Sequence, residues 1–371
     1  MTRSPAAPPR TLRVLALAPY PESAPSTRFR LDQFRAPLQG LGVAVTLHSF
    51  LSPAGYAAVR RGGWRAGPTL VRAAAELLGV LGGAGRYDVV WIQRGLALLL
   101  DRALLGRLVR SGVPLVYDFD DAVFLAQDGG RRWLEGVRDP RGTAQAFCRA
   151  AARIFAGNDY LADFATDAVG AGGRDRVQVV PSVVDTAQVV ASHRGGAGPP
   201  TLGWVGSDST IPYLESMADV LRSLASTTPH RLLVVAGRRR PRLPGVAVDY
   251  VPWTASGESA LLGQVDVGLY PLDDTPWSRG KCGFKALQYL ASGAPCVASP
   301  VGVLPDIVRH GETGLLAATP EEWVEACARL LADAELRRRM GERGRALVEE
   351  RYSVAVQAPR VAAAFRAVVG A

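Results

Sequence analysis

Apolar runs bounded by turn residues alternate, along the first half of the chain, with stretches whose apolar positions recur at helical spacing. The runs RVLALA (13–18), VAVTLHSF (43–50), YDVVWIQ (87–93), VPLVYDF (113–119), ARIFAG (152–157) and RVQVVPS (176–182) predict strands, and segments 27–40, 96–111, 143–151 and 158–169 predict helices. Strands that are apolar on every position are buried on both faces, so the pattern predicts a parallel sheet covered by helices. The Gly- and Pro-rich AQVVASHRGGAGPP (187–200) interrupts it and reads as a linker. The alternation then restarts with TLGWVG, RLLVVAG, VAVDYV, VDVGLYP, APCVAS and TGLLAA, and the chain closes on a helical segment at 352–371. The expectation is two doubly wound, Rossmann-like α/β domains, residues 1–187 and 201–351, joined by a linker at 188–200. Paired domains of this kind face a cleft onto which the carboxyl ends of their strands open.

Composition adds boundaries. With 371 residues, 48% apolar and 21% charged, the chain is expected to fold throughout as a soluble protein. Cys148, Cys282, Cys296 and Cys327 form no C-x-x-C pair, so neither a zinc site nor a disulfide framework is indicated, which suits a reducing, cytoplasmic location. The apolar stretch near the N-terminus is too short for a signal segment, and no window is long and apolar enough to span a membrane. The net charge of +9 is uneven: residues 1–187 hold 23 basic against 16 acidic residues (+7), and the remainder 20 against 18 (+2). Arg35, Arg60, Arg61, Arg65 and Arg72 occur without an acid between 33 and 75, and TLVRAAAELLGVL follows with an apolar helical face. This is either a solvated basic face or a surface that rests on an anionic membrane. The arginines are scattered and not interleaved with aromatics, which argues against nucleic-acid binding.

The chemistry concentrates in WSRGKCGFKALQYLASGAPCVASPVGVLPDIVRHGETGLLA (277–317). Lys281 and Lys285 are the only two lysines in a chain whose cation is otherwise arginine. An ammonium binds phosphate as a compact point charge where a planar guanidinium does not fit. Gly280 and Gly283 allow close backbone approach to a ligand, and a helix running from Gly283 to Gly293 would aim N–H groups and its positive dipole end at an anion. The alternative is two solvated lysines before an ordinary helix. Neither G-x-G-x-x-G nor a Walker A loop follows a first strand, so dinucleotide redox chemistry and ATP hydrolysis are disfavoured.

The segment G-K-C-G-F-K-A-L-Q-Y-L-A-S-G-A-P-C-V resembles the donor-binding motif E-x-F-G-x-x-x-x-E-A-M-A-x-G-x-P-V-V of glycosyltransferase family 4, in particular the branch with K-C-x-x-K-x-x-E-Y-M-A-x-G. Weaker similarity covers RFRLDQF, YDFDDAVF, AGNDYLADFA and VVPSVVD, and ERYS before the last helix is also typical. The resemblance implies a GT-B fold: an acceptor-side first domain, a nucleotide-sugar donor domain, and a C-terminal helix that crosses back to the first. It implies retaining transfer of a sugar from a nucleoside diphosphate to an acceptor hydroxyl in glycan, polysaccharide or glycolipid assembly, without an essential metal or other cofactor. A sugar phosphorylase, a nucleotide-sugar epimerase, or a weakened sugar-nucleotide-binding protein are the alternatives. Two departures stand out. The motif's first glutamate falls at Gly280, which cannot hold sugar hydroxyls, and its second at Gln288, which can still hydrogen-bond a ribose diol.

The donor-side candidates are therefore Gly206, Ser207, Trp253, Arg279, Gly280, Lys281, Cys282, Gly283, Phe284, Lys285 and Gln288. Lys281 is expected to carry the diphosphate charge. Gly206 and Ser207 either touch phosphate or sugar or form a plain turn; Trp253 either meets the base or packs in the core; Arg279 is either a phosphate ligand or a surface arginine. In the first domain, Ser26, Arg28 and Arg30 are placed to bind an anionic acceptor or the donor phosphates, unless Ser26 or Thr27 simply caps a helix. Asp118, Asp120 and Asp121 in YDFDD mimic a manganese-binding D-x-D, but binding or orienting an acceptor hydroxyl is the preferred role. None of His48, His193, His230 and His310 is placed as a histidine base.

Overall fold

The computed structural model describes residues 10–61, 66–95, 101–125, 139–189, 198–254 and 257–370. Arg65, His193, most of the linker and the start of the 96–111 helix lie outside these residues, as do the side chains of Arg60 and Arg61. The chain divides into two compact units, Met1–Pro181 with Gln357–Ala371, and Ser182–Val356.

In the first unit, β1 (Leu12–Ala18), β2 (Val43–Ser49), β3 (Val89–Gln93), β4 (Leu115–Phe119), β5 (Arg153–Ala156) and β6 (Val177–Val179) form one sheet in the order β2-β1-β3-β4-β5-β6. Every pairing is parallel. β3 and β4 are buried at every position, as their unbroken apolar runs require. Because β2 and β3 flank β1 on opposite sides, the connections leaving β1 and β3 diverge, and the carboxyl ends of these two strands mark the switch point where doubly wound sheets bind ligands. The last helix, Val354–Val369, returns the chain to this unit, where Phe365 packs edge-on to Trp91 with ring centroids 5.3 Å apart.

The helix expected over 27–40 is divided into Pro25–Arg30, a tight turn at Asp32–Phe34, and Arg35–Gly40. Restarting at Arg35 puts Pro37 in a first turn, where its missing N–H costs nothing.

The second unit repeats the architecture with β7 (Thr201–Val205), β8 (Arg231–Ala236), β9 (Asp249–Pro252), β10 (Val267–Tyr270), β11 (Cys296–Ala298) and β12 (Gly314–Leu316), ordered β12-β11-β10-β7-β8-β9 and parallel throughout. Alternate side chains feed two cores. Leu202, Trp204, Leu232 and Val234 join the cluster containing Trp323 and Leu330 of helix Pro320–Ala332, whereas Val205, Leu233 and Val235 join the cluster containing Leu287 and Leu290 of helix Phe284–Ala291. Here the switch point lies between β7 and β10. No described helix is long and apolar enough to cross a membrane.

Candidate functional site

The second unit's site is built on the helix Phe284–Ala291, which Tyr289 seats against the switch point. Its buried phenol accepts a hydrogen bond from Val205 N at the end of β7 (2.8 Å) and faces Leu269 O of β10. The ring fills the space beside Gly268, where a Cβ would lie 2.3 Å from it. Gly283 begins the helix at φ 67°, with room for a Cβ denied by Ile307 at 2.3 Å, so this glycine is required by backbone and packing. No side chain caps the helix start.

The two lysines have different surroundings. Lys281 is half-buried before the helix, its Nζ 5.4 Å from the Trp277 ring centroid. Lys285 Nζ donates to Gln288 Oε1 (3.2 Å) and lies 3.8 Å from Glu258 Oε1, which accepts from Trp253 Nε1 (3.1 Å). The Glu258 side chain is only 7% exposed. Trp253, Glu258, Lys285 and Gln288 thus form one polar chain at the edge of the core. Sequence reading missed Glu258, whose relevance to Lys285 arises only when segments 27 residues apart meet.

Three donor candidates have roles in the surrounding loops. Arg279 grips Asp274 through both arms (2.6 and 2.9 Å) at the surface. Gly206 sits where a Cβ would strike the Trp204 ring at 2.1 Å, and Ser207 lies in a turn closed by its N–H to Thr210 Oγ1 (2.9 Å). Tyr213 OH meets Ser278 Oγ at 3.1 Å, tying this segment to the 273–283 loop beside a hollow of about 350 Å³ lined by Asp273, Ser299 and Trp323. Gly280 ends the helix Pro276–Arg279, Cys282 is buried, and Phe284 lies 5.7 Å from Lys285 Nζ.

The first unit changes several expectations. Arg30 and Asp118 are not presented to a ligand: with side chains 2% and 1% exposed, they pair at 2.7 Å. Arg30 also donates to Val180 O and Pro181 O, and Asp118 also accepts from Trp91 Nε1 (2.9 Å). Burial pushes the Asp118 carboxyl up to about 6 against the pull of Arg30. A short side chain on an interior strand has no route out of the core, so the pair is architectural. The alternative of Ser26 or Thr27 as helix cap is also replaced, since Ala24 holds that position and Thr27 Oγ1 donates to Tyr20 O. Arg28 stays half-buried, its guanidinium 4.2 Å from the Phe29 ring centroid.

Asp120 and Asp121 are held by Arg94, at 2.7 and 3.3 Å, a residue that sequence reading did not single out. Burial alone would raise the Asp120 carboxyl, but Arg94 outweighs it and holds the group below its ordinary value. The D-x-D resemblance therefore divides between two arginines: Arg30 takes Asp118, and Arg94 takes Asp120.

A family profile described as glycosyl transferases group 1 matches residues 199–333, the second unit's sheet and the lysine-bearing helix. The match covers about a third of the chain, and over that segment the chain resembles this family. The chain is 28% identical over 193 residues to D-inositol 3-phosphate glycosyltransferase of Nocardia farcinica, covering 46% of this chain and 43% of that protein. It is 38% identical over 72 residues to N-acetyl-alpha-D-glucosaminyl L-malate synthase of Bacillus anthracis, 19% of each chain. The matches thus span less than half the length of these curated relatives. Among solved structures, sucrose-phosphate synthase from Thermosynechococcus elongatus superposes with a TM-score of 0.73 at 17% identity, over 96% of this chain and 99% of that one. Anabaena HepE, in complex with UDP and glucose, gives 0.68 at 15%, over 96% and 100%. These similarities show the GT-B fold for this chain.

Proposed function

We propose that the protein transfers a sugar, with retention, from a nucleoside-diphosphate sugar to an acceptor hydroxyl in glycan, polysaccharide or glycolipid assembly. The observation that carries the reading is the placement of the chain's only two lysines at an uncapped helix start on a sheet switch point. Lys281 and the first N–H groups of the helix hold the diphosphate and stabilise the charge that develops as it departs. Trp253, Glu258 and Gln288 border the nucleoside. Attack from the face the leaving group vacates needs no enzymic nucleophile. Turnover of a nucleotide-sugar panel, measured beside binding of the same nucleotides, tests the proposal; binding without transfer would favour a weakened sugar-nucleotide-binding protein, the reading that Gly280 encourages. A chain that consumes orthophosphate or interconverts donor sugars would instead be a phosphorylase or epimerase.

Further outcomes follow from this reading. Activity survives strong chelators, because side-chain cations serve the diphosphate; an absolute manganese requirement abolished in Asp120→Asn would reinstate the D-x-D. Gln288→Glu keeps or improves nucleotide affinity, since Lys285 Nζ already lies beside that position at 3.2 Å; a loss of about a hundredfold, some 3 kcal/mol, would remove Gln288 from the nucleoside contacts. If helix Ala66–Gly82, with Val71 and Leu78 exposed, rests on an anionic membrane, liposome binding falls steeply from low to physiological salt; equal binding to neutral vesicles would count against it.

A further inference from the structure

We infer that Tyr289 is a positioning residue for the donor site: its phenol, set into an open seam between β7 and β10, fixes the lysine-bearing helix against the loop that carries Gly206 and Ser207. Naming the ligand so placed as a nucleoside diphosphate rests on the transferase reading above; the seam and its wedge do not.

β7 and β10 pair only at Leu202 with Val267 and Gly203 with Gly268, although β7 runs on to Val205 and β10 to Tyr270. Their outer neighbours follow them to the end: β8 pairs with β7 as far as Val205, and β11 with β10 as far as Tyr270. The sheet therefore parts along one line, at the switch point where doubly wound sheets meet their ligands. At the equivalent line in the first unit, β1 and β3 stay paired from Val14 with Val89 to Leu17 with Ile92. Parted strands leave buried backbone groups in need of other partners, and leaving them unmet is costly. Gly206 N–H turns to Val235 O of β8 (3.0 Å), and Val205 N, one residue earlier, is left at the seam. Tyr289 OH meets it there, accepting from Val205 N at 2.8 Å, and lies 3.4 Å from Leu269 O on the other strand.

The phenol reaches the seam from within helix Phe284–Ala291, with Tyr289 fully buried and its ring beside Gly268. Burial holds the hydroxyl well above its ordinary pKa, so it remains a donor toward Leu269 O at every working pH. One side chain thus ties a single helix to both strands of the switch point. Gln288 precedes Tyr289 on that helix and Lys285 stands one turn before it, while Val205 leads within two residues to Ser207. A slip of the helix along the seam would move the lysine loop and the first helical N–H groups relative to Gly206 and Ser207. Such a slip alters the spacing of the site without altering any group that touches the ligand, and small misplacements of that kind are expensive.

The test is Tyr289→Phe in the full-length protein, which keeps the ring beside Gly268 and removes only the hydroxyl. Binding is measured with UDP, GDP and ADP, taking whichever the native protein holds most tightly, together with Tm and turnover of the matching nucleotide sugar. Loss of the hydroxyl should lower nucleoside diphosphate affinity about tenfold, and kcat with it, in protein still folded at the assay temperature. Because Tyr289 acts through the lysine loop, its cost to affinity should shrink to about twofold in the Lys281→Ala background, whereas a residue that only stabilises the fold would lower Tm and leave affinity unmoved. A folded Tyr289→Phe protein with native affinity and kcat, or full additivity with Lys281→Ala, would overturn the inference while the transferase reading stands. If Tyr289→Phe does not fold, amide hydrogen exchange of the native protein decides: the bound nucleotide should slow exchange at Gly206 and Ser207, and unaltered exchange overturns the inference. If the native protein binds none of the three nucleotides, the transferase reading itself fails and the donor role of Tyr289 falls with it.

Discussion

Lys281→Ala is expected to lower kcat/KM by about ten- to a hundredfold, chiefly through kcat. A charged hydrogen bond in a partly dry site contributes about 1.5 to 3 kcal/mol, and one that strengthens as the diphosphate departs acts on the barrier itself. Lys281→Arg should recover only part, because a planar fork is bulkier than an ammonium beside the Trp277 ring. Lys285→Ala should behave differently. Its ammonium lies 3.8 Å from Glu258, whose side chain is 7% exposed, so removing it strands a buried carboxylate. The variant should lose stability and nucleotide affinity more than turnover rate. Steady-state kinetics beside urea denaturation separates the two lysines; normal turnover by Lys281→Ala with a folded but dead Lys285→Ala would place the phosphates nearer the helix body.

Asp118→Ala should cost about 3 to 5 kcal/mol of stability, the usual consequence of leaving one member of a buried ion pair without its partner. Arg30 would then stand 2% exposed in the core, its guanidinium donating to Val180 O and Pro181 O but deprived of the carboxylate it pairs with at 2.7 Å. Replacing both residues together, as Arg30→Met with Asp118→Leu, should restore much of the loss, because apolar groups of similar size need no desolvation. Nucleotide binding by the second unit should persist wherever the protein remains folded. A fully stable Asp118→Ala protein that binds nucleotide but turns over nothing would return Asp118 to the chemistry.

The alternation of apolar runs with helical periodicity set the two parallel sheets, since a strand with no polar face must be covered on both sides. Strand positions were legible within a few residues, although VAVDYV (246–251) forms strand only from Asp249, after a turn at Gly245 with φ 78°. The lysine-bearing helix was legible for the same local reasons, a glycine at each end and apolar positions between. What charged residues do was not legible, because it depends on which strands become neighbours. Pairing β3 with β4 brings Arg94 to Asp120, and the α-helical return after β1 brings Arg30 to Asp118 across 88 residues of sequence. A carboxylate or guanidinium reads as a ligand in one dimension and becomes structural once it is buried opposite its counter-charge. The tertiary fold made that choice for Arg30 and Asp118, and it also assembled Glu258, Lys285 and Gln288 into a chain that no linear spacing announces.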